Sequence, residues 1–379
     1  MRKSIHVLVN TSTGFGRQVI RGVARYARSF TDWELNMPPL GFGVPDLTTQ
    51  LQEADGVVAR IVERGMARRL ERLPCPVINV SDAIPGLPFP LVTHDPRATA
   101  ALAVSHGLDR GFRRFAYCGF DEHGYSRARG DALAQICHEQ GLPCARYQDI
   151  RARRRSLSGE RRRLSRWVRS LDESVLVVCC NDIRAQQVVD ACRADGLAIP
   201  DWVAVIGIDD DEVVCTACPV EVSSIDVGAE GIGFRAAERL AAILSGTADS
   251  GDDERIPPGG VVPRASTDIL VVDDPTVRAA LRVIRVATPP STVQEVLDQV
   301  PVSRRALEQA FRVCLGRSPL QEINAVRLSR ARELLGSTDL PVYAVATRAG
   351  YPNANHFATA FRTSEGLSPS TWRRRHGRS

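Results

Sequence analysis

The stretch Leu340 to Arg362, LPVYAVATRAGYPNANHFATAFR, restricts what this chain can fold into more than any other. Val342, Val345 and Ala346 fall on one apolar helical face, and Gly350 breaks that helix where the chain must turn. Asn353 is placed to cap a second helix carrying Phe357, Ala360 and Phe361 at i, i+3, i+4 spacing. Helix, short glycine turn, helix is the helix-turn-helix pattern, whose second helix enters the major groove of DNA. The residues of that helix not committed to a core are Asn353, Ala354, Asn355, His356, Thr359 and Arg362. They are mostly polar and include no acid, which suits contact with base edges and phosphates. Taken alone, the stretch also fits an ordinary helical hairpin with a solvated face.

The spacing of Ala346, Gly350, Phe357, Phe361, Gly366, Pro369 and Trp372 resembles the signature of AraC-type transcription regulators, from about Arg327 to Arg373. That family carries two helix-turn-helix units in one chain, so the resemblance implies an upstream copy. Ser291 to Gly316, STVQEVLDQVPVSRRALEQAFRVCLG, fits it. Val293, Val296 and Leu297 form the supporting helix, and Val300-Pro301-Val302 the turn. Ser303 caps the helix holding Leu307, Ala310 and Phe311. The expected DNA-facing residues are Ser303, Arg304, Arg305, Glu308, Gln309 and Arg312 in the first unit. In the second, at about 340–363, they are Asn353, Asn355, His356, Thr359 and Arg362. Pro319 to Leu335 reads as a helix between the units, with Ile323, Val326, Ala331 and Leu334 inward. It would span about 25 Å and let the recognition helices enter successive major grooves about 34 Å apart.

Charge follows this division. From Thr276 onward there are 16 Arg against 7 Asp and Glu, net +9, while the rest of the chain is net −4. A polyanion would therefore bind the carboxyl-terminal part. The boundary is expected at Asp273-Asp274-Pro275, giving a domain at 1–274 and an all-α domain at 275–379.

Upstream, apolar runs alternate with helical patterns. Ile5 to Val9, Gly56 to Ala59, Val77 to Val80, Leu91 to Thr93, Phe115 to Cys118, Val175 to Cys180 and Val203 to Ile208 read as strands. Gln18 to Arg28, Arg97 to Leu108, Arg127 to Cys137, Ile183 to Ala194 and Gly231 to Leu244 read as helices, with Thr11 to Arg17 a loop. Such alternation predicts a doubly wound α/β architecture, long enough for two lobes with a cleft between them. Ligands of such sheets sit beyond the carboxyl ends of strands. Polar residues gather there: His94-Asp95, Tyr125-Ser126-x-x-Arg129, Asn181-Asp182 and Asp209-Asp210-Asp211. Carboxylates, amides and an arginine around an aromatic suit a polyhydroxylated ligand. The same Asp and Asn residues also suit plain helix caps.

HDPRATAALAVSHGLDRGFRRFAYCG and CNDIRAQQVVDACRADGLAIPDWVAVIGIDDDE resemble the lobes of lac-repressor-type and periplasmic sugar-binding proteins. Arg264 to Arg285 is similar to the junction in xylose-operon regulators, a family that joins this sugar domain to an AraC-type domain. The resemblance implies a two-lobed periplasmic-binding-protein-like sensor for a small, xylose-like sugar. It implies sugar contacts at Asp209, Arg129, Asn181, near Asp95 and at Tyr125, and Phe15 is counted with them. Tyr125 stands where the family usually has Trp, and Ala132-Leu133 where it has glycine and an aromatic. Both departures bear on which sugar is held. The expected partners are double-stranded operator DNA, a sugar effector, RNA polymerase and a second copy of the chain in a homodimer. No cofactor, metal or membrane is expected, and the location is cytoplasmic.

Other chemistries are less well supplied. Gly14-Phe15-Gly16 follows a strand, but Val19 occupies the third glycine position and no acidic ribose partner ends the next strand. No phosphate-binding Gly-x-x-x-x-Gly-Lys loop or nucleophile elbow is present. Cys215-x-x-Cys218 lacks a second ligand pair, and Pro219 follows directly, so it reads as a plain loop. Arg151 to Arg155 and Arg161 to Arg169, interleaved with Leu157, Leu164, Trp167 and Val168, read as a helix with a solvated face. Ser245 to Gly260 reads as a polar loop. The ten cysteines follow no framework spacing, and the amino end, Met1-Arg2-Lys3, is no signal peptide, so reduced thiols are expected. The rival functions are a constitutive DNA-binding protein with structural lobes, and a sugar- or nucleotide-acting enzyme with a DNA-targeting tail.

Overall fold

Strand β1 (Ser4–Leu8) is buried over almost its whole length, as an unbroken apolar run in a sheet covered on both faces must be. The computed structural model describes residues 2–38, 51–147, 157–171, 174–247, 252–269, 274–287, 292–338 and 340–376. The chain divides into two units, 1–270 and 271–379.

The first unit continues with α1 (Gly14–Phe30), β2 (Glu34–Asn36), β3 (Gly56–Ala59), α2 (Arg64–Leu70), β4 (Val77–Asn79), β5 (Val92–His94) and α3 (Pro96–Asp109). Then come β6 (Arg114–Cys118), α4 (Gly124–Glu139), β7 (Cys144–Arg146), α5 (Leu157–Arg169), β8 (Val175–Cys179), α6 (Asp182–Ala194), β9 (Val203–Ile208) and α7 (Glu212–Ala217). It closes with β10 (Ser223–Asp226), α8 (Ala229–Leu244), β11 (Glu254–Ile256) and β12 (Gly260–Val262). One lobe holds a parallel sheet in the order β2-β1-β3-β4. The other holds six strands in the order β12-β10-β9-β8-β6-β7, parallel except for the β10–β12 pair. β5 and β11 form a separate parallel pair, each lying in sequence between an element of one lobe and an element of the other. Helices α1 and α8 cross at backbone distance. A Cβ on Gly22 would sit 2.0 Å from the Glu230 carbonyl oxygen, and one on Gly233 2.0 Å from that of Val19. Only glycine permits this crossing.

Several expectations need correcting. Helix α1 starts at Gly14, with the Thr13 side chain accepting from Gly16 N, so much of the expected loop 11–17 is helical. Strand β11 lies inside the stretch read as a polar loop, of which 248–251 fall outside the described residues. Cys215 belongs to α7 rather than a loop, and both Cys215 and Cys218 are buried. One expectation holds: Arg161 to Arg169 lie in a helix, α5, with Leu164 and Val168 inward, while Arg151 to Arg155 lie outside the described residues.

The second unit is helical: α9 (Pro275–Val286), α10 (Val293–Gln299), α11 (Arg304–Leu315), α12 (Pro319–Ser337), α13 (Val342–Arg348), α14 (Ala354–Glu365) and α15 (Pro369–His376). It has two apolar cores. Val296, Val300, Leu307, Phe311 and Ile323 pack together in the first, and Val345, Ala346, Ala349, Phe357 and Phe361 in the second. Helix α12 serves both, with Ile323 near its start and Ala331 and Leu335 further on. Leu335, rather than the expected Leu334, takes the deeper place. Helix α9 precedes the first helix pair, as α12 precedes the second. Val277, Ala280, Leu281 and Ile284 bury it against the first core, and Asp274 caps it.

Candidate functional site

The cleft of the first unit forms around Arg129. Tyr125 and Arg129 lie four residues apart on α4, which brings the guanidinium over the ring at 5.4 Å. Arg129 is 5% exposed and every arm of its guanidinium is used. Nε donates to His94 Nε2 at 3.1 Å, one Nη to the Cys180 carbonyl at 2.5 Å, and the other Nη to Asp209 Oδ1 at 2.9 Å. Residues from the ends of β5, β8 and β9 thus meet on one side chain, as expected beyond the carboxyl ends of parallel strands. Phe15, Arg60, Val80, Ser81, Asp82 and Thr93 complete the lining, and the cleft holds about 300 Å³ of space, including open solvent.

Electrostatics fix the protonation states. Burial would lower the Arg129 pKa, but the Asp209 carboxylate outweighs it and holds the charge firmly. Burial, with the neighbouring charges of Arg129 and Arg255, keeps His94 well below its ordinary range, so it is neutral. Its Nε2 accepts from Arg129, which leaves the ring proton on Nδ1, 3.4 Å from Thr93 Oγ1. Burial raises the Tyr125 hydroxyl. Beneath the cleft, burial and then Asp209 push Asp182 up to about 8. Asp182 accepts from Ser224 Oγ at 2.5 Å and from the Asp211 amide at 2.7 Å. It thereby holds the loop 209–211, where Asp209 and Asp210 have positive φ of 106° and 46°. A non-glycine backbone stays there only when its surroundings over-determine it.

Each expected cleft residue has a definite place. Asp209, Arg129, Tyr125 and Phe15 line the cleft. Asn181 caps α6, one of the two roles foreseen for it: Oδ1 accepts from Arg184 N at 2.8 Å, while Nδ2 donates to the Tyr125 hydroxyl at 3.4 Å. Asp95 is a correction. Its carboxylate caps α3 through Arg97 N and Ala98 N at 2.8 and 3.0 Å, and its neighbour His94 enters the cleft instead. Asp95 lies just past the end of β5, where its carboxylate is taken by the first turn of α3. Arg60, Ser81 and Asp82 escaped the sequence reading, although each closely follows a buried strand. The nucleotide-like Gly14-Phe15-Gly16 is accounted for internally. Asp211 brings its own carboxylate to the start of α1, accepting from Gly14 N at 2.6 Å and from Arg17 at 2.7 Å. A phosphate there would meet that anion.

In the second unit, Ser303 caps α11 by accepting from Ala306 N at 3.2 Å, and Asn353 caps α14 by accepting from His356 N at 2.8 Å. Arg304, Arg305, Glu308, Gln309 and Arg312 on α11 are exposed, as are Asn355, His356, Thr359 and Arg362 on α14. Among the described residues, Arg304 pairs with Glu308 along α11 at 3.4 Å. Gly350 in the second turn has φ 84°, the left-handed conformation expected of it. Of the terminal cluster, Arg373 is half-buried and donates to the Leu335 carbonyl at 3.4 Å, so it ties α15 to α12, whereas Arg374 is exposed.

Residues 104–267 match the family described as periplasmic binding protein-like domain, and 296–375 match a helix-turn-helix domain. The chain is 28% identical to the xylose operon regulatory protein of Haemophilus influenzae, over 97% of each chain. It is 28% identical to the protein of the same name from Escherichia coli K12, over 98% of this chain and 97% of that one. A solved structure of a xylose-binding transcription activator superposes with a TM-score of 0.81 at 26% identity, covering 100% of this chain and 99% of the other.

Proposed function

We propose that this chain, a DNA-binding transcription regulator joining a periplasmic-binding-protein-like α/β domain to an AraC-type helix-turn-helix domain, is switched by a sugar of pentose-like ring configuration, with xylose the first candidate. The observation that carries the reading is the Arg129–Asp209 pair, 2.9 Å apart, set among the aromatic faces of Phe15 and Tyr125. Arg129 and Asp209 engage ring hydroxyls, Asn181 and His94 complete the network, and the rings pack on C–H faces. Sugar shifts the equilibrium between lobe arrangements only by its differential affinity for them. The Asp211 contacts to Gly14 N and Arg17 cross from the second lobe to the first, so closure has a protein contribution of its own.

On DNA, α11 and α14 act as the readers. Helix α12, 19 residues and so about 28 Å long, holds them apart at a span suited to successive major grooves on one face of the duplex. The regulator acts in the cytoplasm as a homodimer on repeated half-sites, with RNA polymerase a further partner. Thermal unfolding with a sugar panel tests the sensor: a ligand at 100 times its Kd adds about 2.7 kcal/mol of stability. Operator binding measured with and without that sugar tests the coupling. A sugar that stabilises the protein but leaves operator affinity unchanged would leave a constitutive DNA-binding protein as the better reading.

A further inference from the structure

Four arginines lie in or beside the cleft, and three are matched. Arg129 pairs with Asp209 at 2.9 Å and Arg17 with Asp211 at 2.7 Å, while Arg255 is 3.9 Å from Asp82. Arg60 is the fourth. It directly follows β3, lines the cleft, and its guanidinium lies over the Phe15 ring at 5.1 Å. No carboxylate pairs with it among the described residues. The remaining nearby carboxylates are committed: Asp210 to Arg264 at 2.8 Å, and Asp182 to Ser224 and the Asp211 amide.

A half-buried guanidinium facing a ligand space, held by an aromatic ring and lacking a counter-ion, favours a ligand that brings the anion. Its planar fork matches a carboxylate through two parallel hydrogen bonds. A single fork in a cleft that also holds the Asp82 carboxylate, itself 3.9 Å from Arg255, suits a monoanion better than a phosphate dianion. We propose that Arg60 is a specificity-determining residue that receives the carboxylate of an acidic ring sugar, so that a uronate is preferred to its neutral counterpart. This rests on the reading that the cleft takes a sugar of xylose-like ring configuration, and places the C5-carboxylated sugar ahead of xylose itself.

D-xylose, D-glucose and D-glucuronate share one ring configuration and differ only in carrying hydrogen, hydroxymethyl or carboxylate at C5. Calorimetric titration of the full chain with each is expected to give glucuronate at least about tenfold tighter binding than glucose, a preference that shrinks as salt screens the pair. Arg60→Gln should bring the glucuronate-to-glucose ratio within about threefold, and Arg60→Lys should retain part of it. Thermal unfolding of each unliganded variant checks its fold. Glucose or xylose binding as tightly as glucuronate, or Arg60→Gln keeping the full preference, overturns the role of Arg60 and leaves the sugar reading standing. Failure of all three sugars to bind the unmodified protein overturns the sugar reading itself, and this inference with it.

Discussion

The cleft and the DNA-facing helices hold similar numbers of polar side chains in opposite states. Around the cleft most are buried or half-buried and, Arg60 apart, bonded to other groups of the protein: Arg129 alone ties together Asp209, His94 and the Cys180 carbonyl. On α11 and α14 they are exposed, and Arg304–Glu308 is the ion pair between them. The difference fits the proposed ligands. A small sugar must be enclosed, so its site is pre-organised and its most deeply buried groups keep partners of their own. A duplex supplies its own dense array of partners, so its readers are best left solvated and free. Stability and recognition should therefore be coupled in the sensor and separable in the reader.

The largest test of that contrast is Arg129→Ala. It strands Asp209 and His94 in a buried site, and should lower sensor stability by about 3–5 kcal/mol while abolishing the sugar response. Denaturant unfolding that shows a loss below about 1 kcal/mol would break the contrast. Basal operator affinity should change only a few-fold, because the reader has its own cores.

The next effect is that of pH. The folded pKa of Asp182 is raised to about 8 against an ordinary value near 3.8. The native state therefore keeps a proton that the unfolded chain has released between those values. Its stabilising contribution is complete below about pH 4 and is lost as pH rises towards 8. Stability of the sensor transition measured from pH 5 to 8 should fall, and Asp182→Asn should flatten that slope. An identical slope in the variant would assign the dependence elsewhere.

In the reader, Asn355→Ala and His356→Ala should leave stability within about 0.5 kcal/mol. They should cost about 1–3 kcal/mol of discrimination at one or two base pairs. Site selection with each variant checks this, and unchanged preferences would leave base reading to α11 alone. Arg374→Ala should weaken all sequences alike and reduce the log–log salt slope by about 0.9 if it meets one phosphate. Arg373→Ala should act on stability, since its Nε bonds the Leu335 carbonyl.

The smallest effects sharpen the contrast from inside the reader. Ser303 and Asn353 are exposed yet engaged as caps, so alanine at either should cost about 1 kcal/mol of stability. A cost near zero would mean that both belong wholly to DNA recognition.

Much of the reader was legible in the sequence because its signals are local. Cap, turn and apolar spacing all act within about ten residues, and Ser303, Asn353, Gly350, Phe311 and Phe361 sit where that spacing put them. Two of its elements were not foreseen: α9, whose apolar face is explained only by the first core it covers, and α15, whose Trp372 packs on the second. In the sensor the buried strands β1, β3, β8 and β9 were legible from their unbroken apolar runs. Short strands such as β7, β10 and β11 were not, since three or four residues carry too little pattern to declare a period.

By itself, then, the sequence determined two helix-turn-helix units with a basic excess, preceded by an α/β sensor with polar residues at its strand ends. Only the tertiary structure decided which of those polar residues meet. Asp95 and His94 are chain neighbours, yet one caps the helix that follows and the other, at the end of β5, meets Arg129. Asp209, Asp210 and Asp211 are three identical residues in a row, and each turns to a different arginine: Arg129, Arg264 and Arg17. Their partners lie 80, 54 and 194 residues away along the chain, beyond the reach of any local pattern. The packing of the sheets and lobes alone brings them within hydrogen-bond distance.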